Sequence, residues 1–229
     1  MHRAILLPIL ALACGLALGT LLGTGRLAPG LGADAAGSAG APVVQNSRLE
    51  AAAPQAAPLD PEADEPLLER AQAVLEQLRE EDFSSLSALV HPEKGVTLTP
   101  FSTVTPDRDR SLTPSQVSAV AEDDEFYVWG VMNGSGAPIR STPAEYFQRF
   151  VYNADYAEAP NMAVDTVLLS GNALENVEEA YPEGRFVDCS FPGLDPELGG
   201  YDWCSLKLVF EPWENDWYLV GLVHGEWTT

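Results

Sequence analysis

The sequence predicts an α+β fold: N-terminal helices packed on a mostly antiparallel sheet. Three observations carry that expectation. Leu67, Leu68, Ala71, Val74, Leu75 and Leu78 recur at helical spacing and form one apolar stripe. The C-terminal stretch Arg185–Trp227 reads as three strands, Arg185–Phe191, Trp203–Phe210 and Trp217–Gly225, the last two joined by a polar loop of hairpin length, 211–216. In the middle strand Leu206, Leu208 and Phe210 alternate with Lys207 and Val209, the period of a strand with one face in a core. Such a sheet must lay its apolar face on something, and the upstream helices supply the surface.

The chain divides into three parts. Residues 1–23 open with Met1-His2-Arg3 and continue as an uncharged run rich in Leu, Ala and Ile, the pattern of an export signal and long enough to span a bilayer. Within it, Ala11-Leu12-Ala13-Cys14-Gly15 resembles the lipobox of bacterial lipoproteins, which implies lipidation at Cys14, although Ala11 and Leu12 depart from the usual pattern. A lipid anchor, a spanning anchor and a cleaved signal all fit. Each places the rest of the chain outside the cytoplasm, anchored to the cell membrane or secreted. Residues 24–60 are rich in Ala, Gly and Pro with no periodic apolar content, and read as a disordered tether with a reach of roughly 35 Å. Residues 61–229 form the single folded domain.

Within that domain a helix is expected from Pro66, and a second from its N-cap Asp82 through Leu89 and Val90, ended by His91-Pro92. Val96–Thr99 is a short strand, followed by a loop over 105–111. Thr113-Pro114 opens a short helix. Phe126–Met132 and the region of Ile139 form a hairpin around Asn133–Gly136. Thr142-Pro143 caps a helix carrying Tyr146, Phe147 and Phe150. Val164–Leu169 is strand-like, and Leu174–Ala180 is a last helical piece.

Acidic residues number 34 against 12 basic, and because residues 1–60 are neutral the whole formal charge of −22 falls on the folded domain. That surface repels phosphate backbones and anionic headgroups, which disfavours nucleic acid as a partner.

The order of elements resembles the NTF2-like (SnoaL-like, cone) architecture. The stretches Leu89–Val96, Tyr127–Gly130 and Leu206–Trp227 further resemble a group of uncharacterised bacterial lipoproteins, over residues 67–229. The resemblance implies helices over a curved sheet around a cavity. NTF2-like domains include isomerases, dehydratases and binding modules, so it implies no one activity.

Few residues are candidates for chemistry. His224 lies on the last strand, expected in register with Tyr218, Val220 and Leu222; if that face lines a cavity, the imidazole is a candidate acid, base or ligand. His91 precedes a proline and reads as a helix cap. Two distant histidines without clustered cysteines make no zinc site, and the Asp107-Arg108-Asp109 alternation lacks the glycine and terminal glutamate of a calcium loop. No metal or other cofactor is expected. Cys189 and Cys204 fall on adjacent strands, and outside the cytoplasm a structural disulfide between them is expected, worth roughly 3 kcal/mol. Trp213, in the polar hairpin loop, is the aromatic expected to be exposed for stacking on a ligand. The leading expectation is an envelope-anchored domain that binds a small molecule, a glycan or an envelope protein. The alternatives are a small cavity enzyme using His224 and a structural spacer without ligand.

Overall fold

The structure, a computed structural model, describes residues 61–228. The signal segment, Cys14 and the tether lie outside the described residues. Helix α1 spans Pro61–Arg79, beginning more than a turn before Pro66. Its stripe of Leu67, Ala71, Val74, Leu75 and Leu78 is buried as the periodicity requires. Helix α2, Phe83–Ser87, is capped by Asp82, whose carboxylate accepts the Ser85 N–H at 2.9 Å. Strand β1 (Val96–Thr99) pairs with β2 (Arg110–Leu112), a strand hidden in what the sequence suggested was loop. Helix α3 (Pro114–Ser118) follows a Thr113–Gln116 capping box.

Strands β3 (Tyr127–Val131) and β4 (Pro138–Ser141) form a separate antiparallel ribbon. Helix α4 (Pro143–Tyr146) opens on a second capping box, Thr142 with Glu145, and passes directly into a π-helical turn over Phe147–Val151. Strand β5 covers Asn161–Val164 rather than the expected Val164–Leu169, because Asp165 takes a left-handed backbone (φ 47°) and ends the ladder. Helix α5 is the short Val177–Ala180. Strands β6 (Arg185–Phe191), β7 (Cys204–Trp213) and β8 (Asp216–Glu226) complete the fold.

Six strands form one sheet in the order β2-β1-β8-β7-β6-β5. The β1–β8 pair is parallel and the other pairs are antiparallel, so the mostly antiparallel α+β expectation holds. The expected polar hairpin loop 211–216 is much shorter. The β7–β8 ladder continues to Trp213 and Asp216, leaving Glu214 and Asn215 as a two-residue turn with φ 48° and 79°. Positive φ at both central residues matches the right-handed strand twist of a tight hairpin.

Residues on opposite faces of this sheet belong to different clusters. Leu206, Leu208, Phe210 and Leu222 pack with α1, α2, α3 and the α4 region. Val209, Val220, Val223 and Phe186 pack on the other side with Val104, Val177 and Tyr181. A bulge decides the assignment in β8: Val209 pairs with Gly221 but Phe210 with Leu219, so Val220 is the extra residue. The expected face of Tyr218, Val220, Leu222 and His224 is therefore broken. Leu219 and Leu222 share the helix side, and Val220 turns away from it.

Candidate functional site

The end of α1, α2 and the π-helical turn meet around a cleft of about 370 Å³. Leu78, Phe83 and Phe147 are the apolar lining, each below 9% exposed, and the two phenyl rings meet edge to face at 5.4 Å. Gln148, Ala144, Ala121 and Tyr152 add mixed walls. The π turn makes this arrangement. Tyr152 N–H donates to Phe147 C=O at 2.8 Å, one residue wider than an α-helical bond. The widened turn lets Tyr146, Phe147, Phe150 and Val151 all be buried, with Tyr146 stacked on Trp129 at 4.5 Å. Glu81, also on the cleft, holds a left-handed backbone (φ 54°), a conformation uncommon for a non-glycine residue. Single-turn π geometry and strained backbone both concentrate at functional sites.

Two polar groups on the cleft, Arg79 and Tyr152, are already committed. Arg79 donates to Asp155 at 3.1 Å, Glu158 at 3.0 Å and Glu76 at 3.4 Å, and the Glu158 and Asp155 carboxylates push its pKa further up. Tyr152 donates to Asp155 at 2.6 Å, and burial together with that bond pushes its phenol up to about 12. Gln148 makes no side-chain hydrogen bond among the described residues and is exposed. Among the described residues, the cleft thus offers an apolar body, one free amide, the exposed Glu81 carboxylate and no free cation.

His224 is fully buried on the helix side, edge-on to Phe150 at 5.9 Å. Burial lowers its pKa, so the ring is neutral. Its Nε2 lies 3.3 Å from Glu226 Oε2, and its Nδ1 has no partner among the described residues. With Glu226 ionised, the proton belongs on Nε2 and Nδ1 is a bare acceptor. Burial alone would raise the Glu226 carboxyl, but bonds from His224 and from Arg149, at 2.8 and 3.0 Å, bring it down to about 2.

Trp213 sits at the last ladder pair of the hairpin rather than in an open loop. Its half-buried ring meets His91 edge-on at 5.0 Å. His91 is a structural cap, as expected, but of a turn: its Nδ1 accepts the N–H groups of Glu93 at 3.2 Å and Lys94 at 3.0 Å. Cys189 and Cys204 are free, buried thiols. Cys189 pairs with Leu206 and Cys204 with Phe191, so the two cysteines sit on a diagonal rather than opposite each other, and the expected bridge is not formed. Burial pushes both thiols up, Cys189 to about 12, which suits inert core residues. Asp109 closes its own loop, accepting from Thr99 Oγ1 at 2.8 Å and Thr105 N–H at 2.7 Å, while Asp107 is exposed. Among the described residues no cluster of His, Cys, Asp and Glu is arranged to hold a metal ion, and no helix is long and apolar enough to cross a membrane.

The alternation in β7 puts Lys207 on the face opposite Leu206, Leu208 and Phe210, and it too is fully buried. Its ammonium lies 3.1 Å from Glu175 and 3.9 Å from Asp188, the residue directly opposite it in the sheet. A lysine and an aspartate inside otherwise apolar neighbouring strands are the signal that marks this pair. The cleft residues Phe147, Gln148 and Tyr152 carry no comparable signal, because the π turn is set by tertiary packing.

No family model matches the chain, and no curated protein matches it. Solved structures do. An NTF-2 like protein of unknown function from Shewanella oneidensis MR-1 is 9% identical, covering 72% of this chain and 99% of its own, with a TM-score of 0.31. Aln2 from a Streptomyces species is 10% identical, covering 73% and 93%, with a TM-score of 0.34. A domain of unknown function with a cystatin-like fold from Nostoc punctiforme PCC 73102 is also 10% identical, covering 73% and 79%, at 0.34. Scores this low carry no inference about the chain, whose α+β architecture stands on its own strand pairing.

Proposed function

We propose that this chain is an extracytoplasmic, membrane-anchored binding domain of NTF2-like architecture, and that its helix-side cleft takes a small uncharged molecule with a flat apolar body. The observation that carries this reading is the cleft itself. Leu78, Phe83 and Phe147 line an opening of about 370 Å³, within the usual range for small ligands, with the Gln148 amide and the exposed Glu81 carboxylate as its uncommitted polar groups among the described residues. Charge narrows the ligand class. Arg79 is saturated by three carboxylates, so an anion gains no free partner, and the domain's negative charge opposes it further.

Sealing of His224 favours binding over catalysis at the sheet. The location reading rests on the N-terminal run and Cys14; replacing Cys14→Ala should release the chain from the membrane fraction if a lipid holds it. The ligand reading is tested by thermal shift of the full chain with indole, 2-naphthol and cyclohexanol as probes. A ligand at a hundred times its dissociation constant should stabilise the fold by about 2.7 kcal/mol. Amide chemical-shift changes confined to 78–83 and 144–152 would locate it there. No shift with any probe would leave the spacer as the better account.

A further inference from the structure

We propose a second binding site on a different surface: Tyr201 and Trp227 form a corner that takes a sugar ring. Tyr201 is 67% and Trp227 44% exposed, and their rings meet at right angles, 89°, with centroids 5.2 Å apart. Leu194 and Leu198, each 52% exposed, belong to the same loop as Tyr201. Apolar side chains turned to solvent on a mobile loop would mean little, but these are held there. The Asp202 carboxylate accepts the N–H groups of Leu194 at 2.9 Å and Asp195 at 2.6 Å. The Asp195 carboxylate accepts the Glu197 N–H at 2.9 Å. The chain then turns through left-handed Gly199 and Gly200 (φ 59° and 84°), and Tyr201 N–H closes onto Leu198 C=O at 3.1 Å. Trp227 directly follows Glu226, which Arg149 grips with two bonds.

Both rings therefore stand on ordered supports, and little side-chain and loop freedom remains to be lost on binding. Two aromatic faces at right angles suit an amphipathic ring: the C–H face of a pyranose lies on one ring while its edge meets the other. The exposed carboxylates of Asp195 and Glu197, on the same loop as Tyr201, repel phosphorylated or acidic ligands. A protein partner is the weaker fit, because a stable interface needs about 800 Å² from each side and these carboxylates interrupt the apolar side chains. The geometry of Trp213, packed on His91, makes it the internal control.

The test is calorimetric titration of the full chain with cellotetraose, N-acetylglucosamine tetramer and mannotetraose. Saturable binding of at least one is expected, about tenfold weaker in Trp227→Ala and in Tyr201→Ala and unchanged in Trp213→Ala. Matching thermal unfolding curves for the three variants keep the comparison free of folding defects. Absence of saturable binding to all three sugars would overturn the proposal, as would binding that both corner variants retain. A concentration-dependent dimer lost in Trp227→Ala would assign the corner to self-association instead, and also overturn it.

Discussion

Both faces of the large sheet are buried, one by apolar packing and the other by an apolar patch beside a cluster of charged and hydroxyl side chains. Towards the helices, Leu206, Leu208, Phe210 and Leu222 pack against apolar neighbours, and the polar exception, His224, is neutral. Towards the other side, Asp188, Ser190, Ser205 and Lys207 are all fully buried. They lie in facing pairs, Asp188 opposite Lys207 and Ser190 opposite Ser205. Among the described residues, Asp188 Oδ1, both Glu175 carboxylate oxygens, Lys207 Nζ and the two serine hydroxyls have no hydrogen bond. One face thus gains from removing apolar surface from water. The other holds a lysine between two carboxylates, where desolvation offsets much of the attraction. Burial alone says nothing about how a surface contributes to stability.

The largest expected effect breaks the charged face. Lys207→Met strands two buried carboxylates and should cost about 3–5 kcal/mol in denaturant unfolding. Combining it with Asp188→Leu and Glu175→Leu should recover most of that loss, because a fully apolar replacement leaves no uncompensated charge. On the helix face no such rescue exists: Phe210→Ala should cost about 3–5 kcal/mol whatever else is changed.

A second contrast is pH dependence, with opposite signs. Burial pushes Asp188 up to about 6, against the pull of Lys207 and the Leu168 N–H. A carboxyl raised on folding contributes stability that is complete below its unfolded pKa and lost as pH rises through the folded one. Unfolding free energy should therefore rise between pH 7 and pH 4, by on the order of 2–3 kcal/mol from this group. Asp188→Asn should flatten that window. Glu226, brought down to about 2, behaves in reverse. Its contribution is present above roughly pH 4.3 and lost towards pH 2, and Glu226→Gln should remove that acid-side slope.

The smallest effect concerns His224. His224→Leu removes one hydrogen bond to Glu226 and also the orphaned Nδ1, so the two changes nearly cancel and stability should move by about 1 kcal/mol or less.

Much of the fold was legible because it rests on local rules. The α1 stripe, the Asp82, Thr113 and Thr142 caps and the alternation around Leu206–Phe210 each state their structure in a few residues. What escaped depends on distant partners. The hairpin 211–216 reads as loop because Pro212 and the acidic residues are poor strand formers, yet the ladder to β8 carries strand pairing through Trp213. The bulge at Val220 shifts the face of half a strand without any mark in the sequence. Of the candidate site residues, His224 is fully buried, and Trp213, expected exposed in an open loop, is half-buried against His91. The cleft and the aromatic corner depend on a π turn and on a loop pinned by Asp202, which no periodicity reports.

The most direct test of the central claim, that ligand enters the helix-side cleft and not the sheet interior, compares two variants of the full chain. Ala144→Trp fills the cleft from its exposed wall, and His224→Leu alters the sealed interior. With whichever of indole, 2-naphthol or cyclohexanol stabilises the wild type, the thermal shift should persist in His224→Leu and vanish in Ala144→Trp. A shift that survives in Ala144→Trp and disappears in His224→Leu would contradict the account and return the site to the sheet.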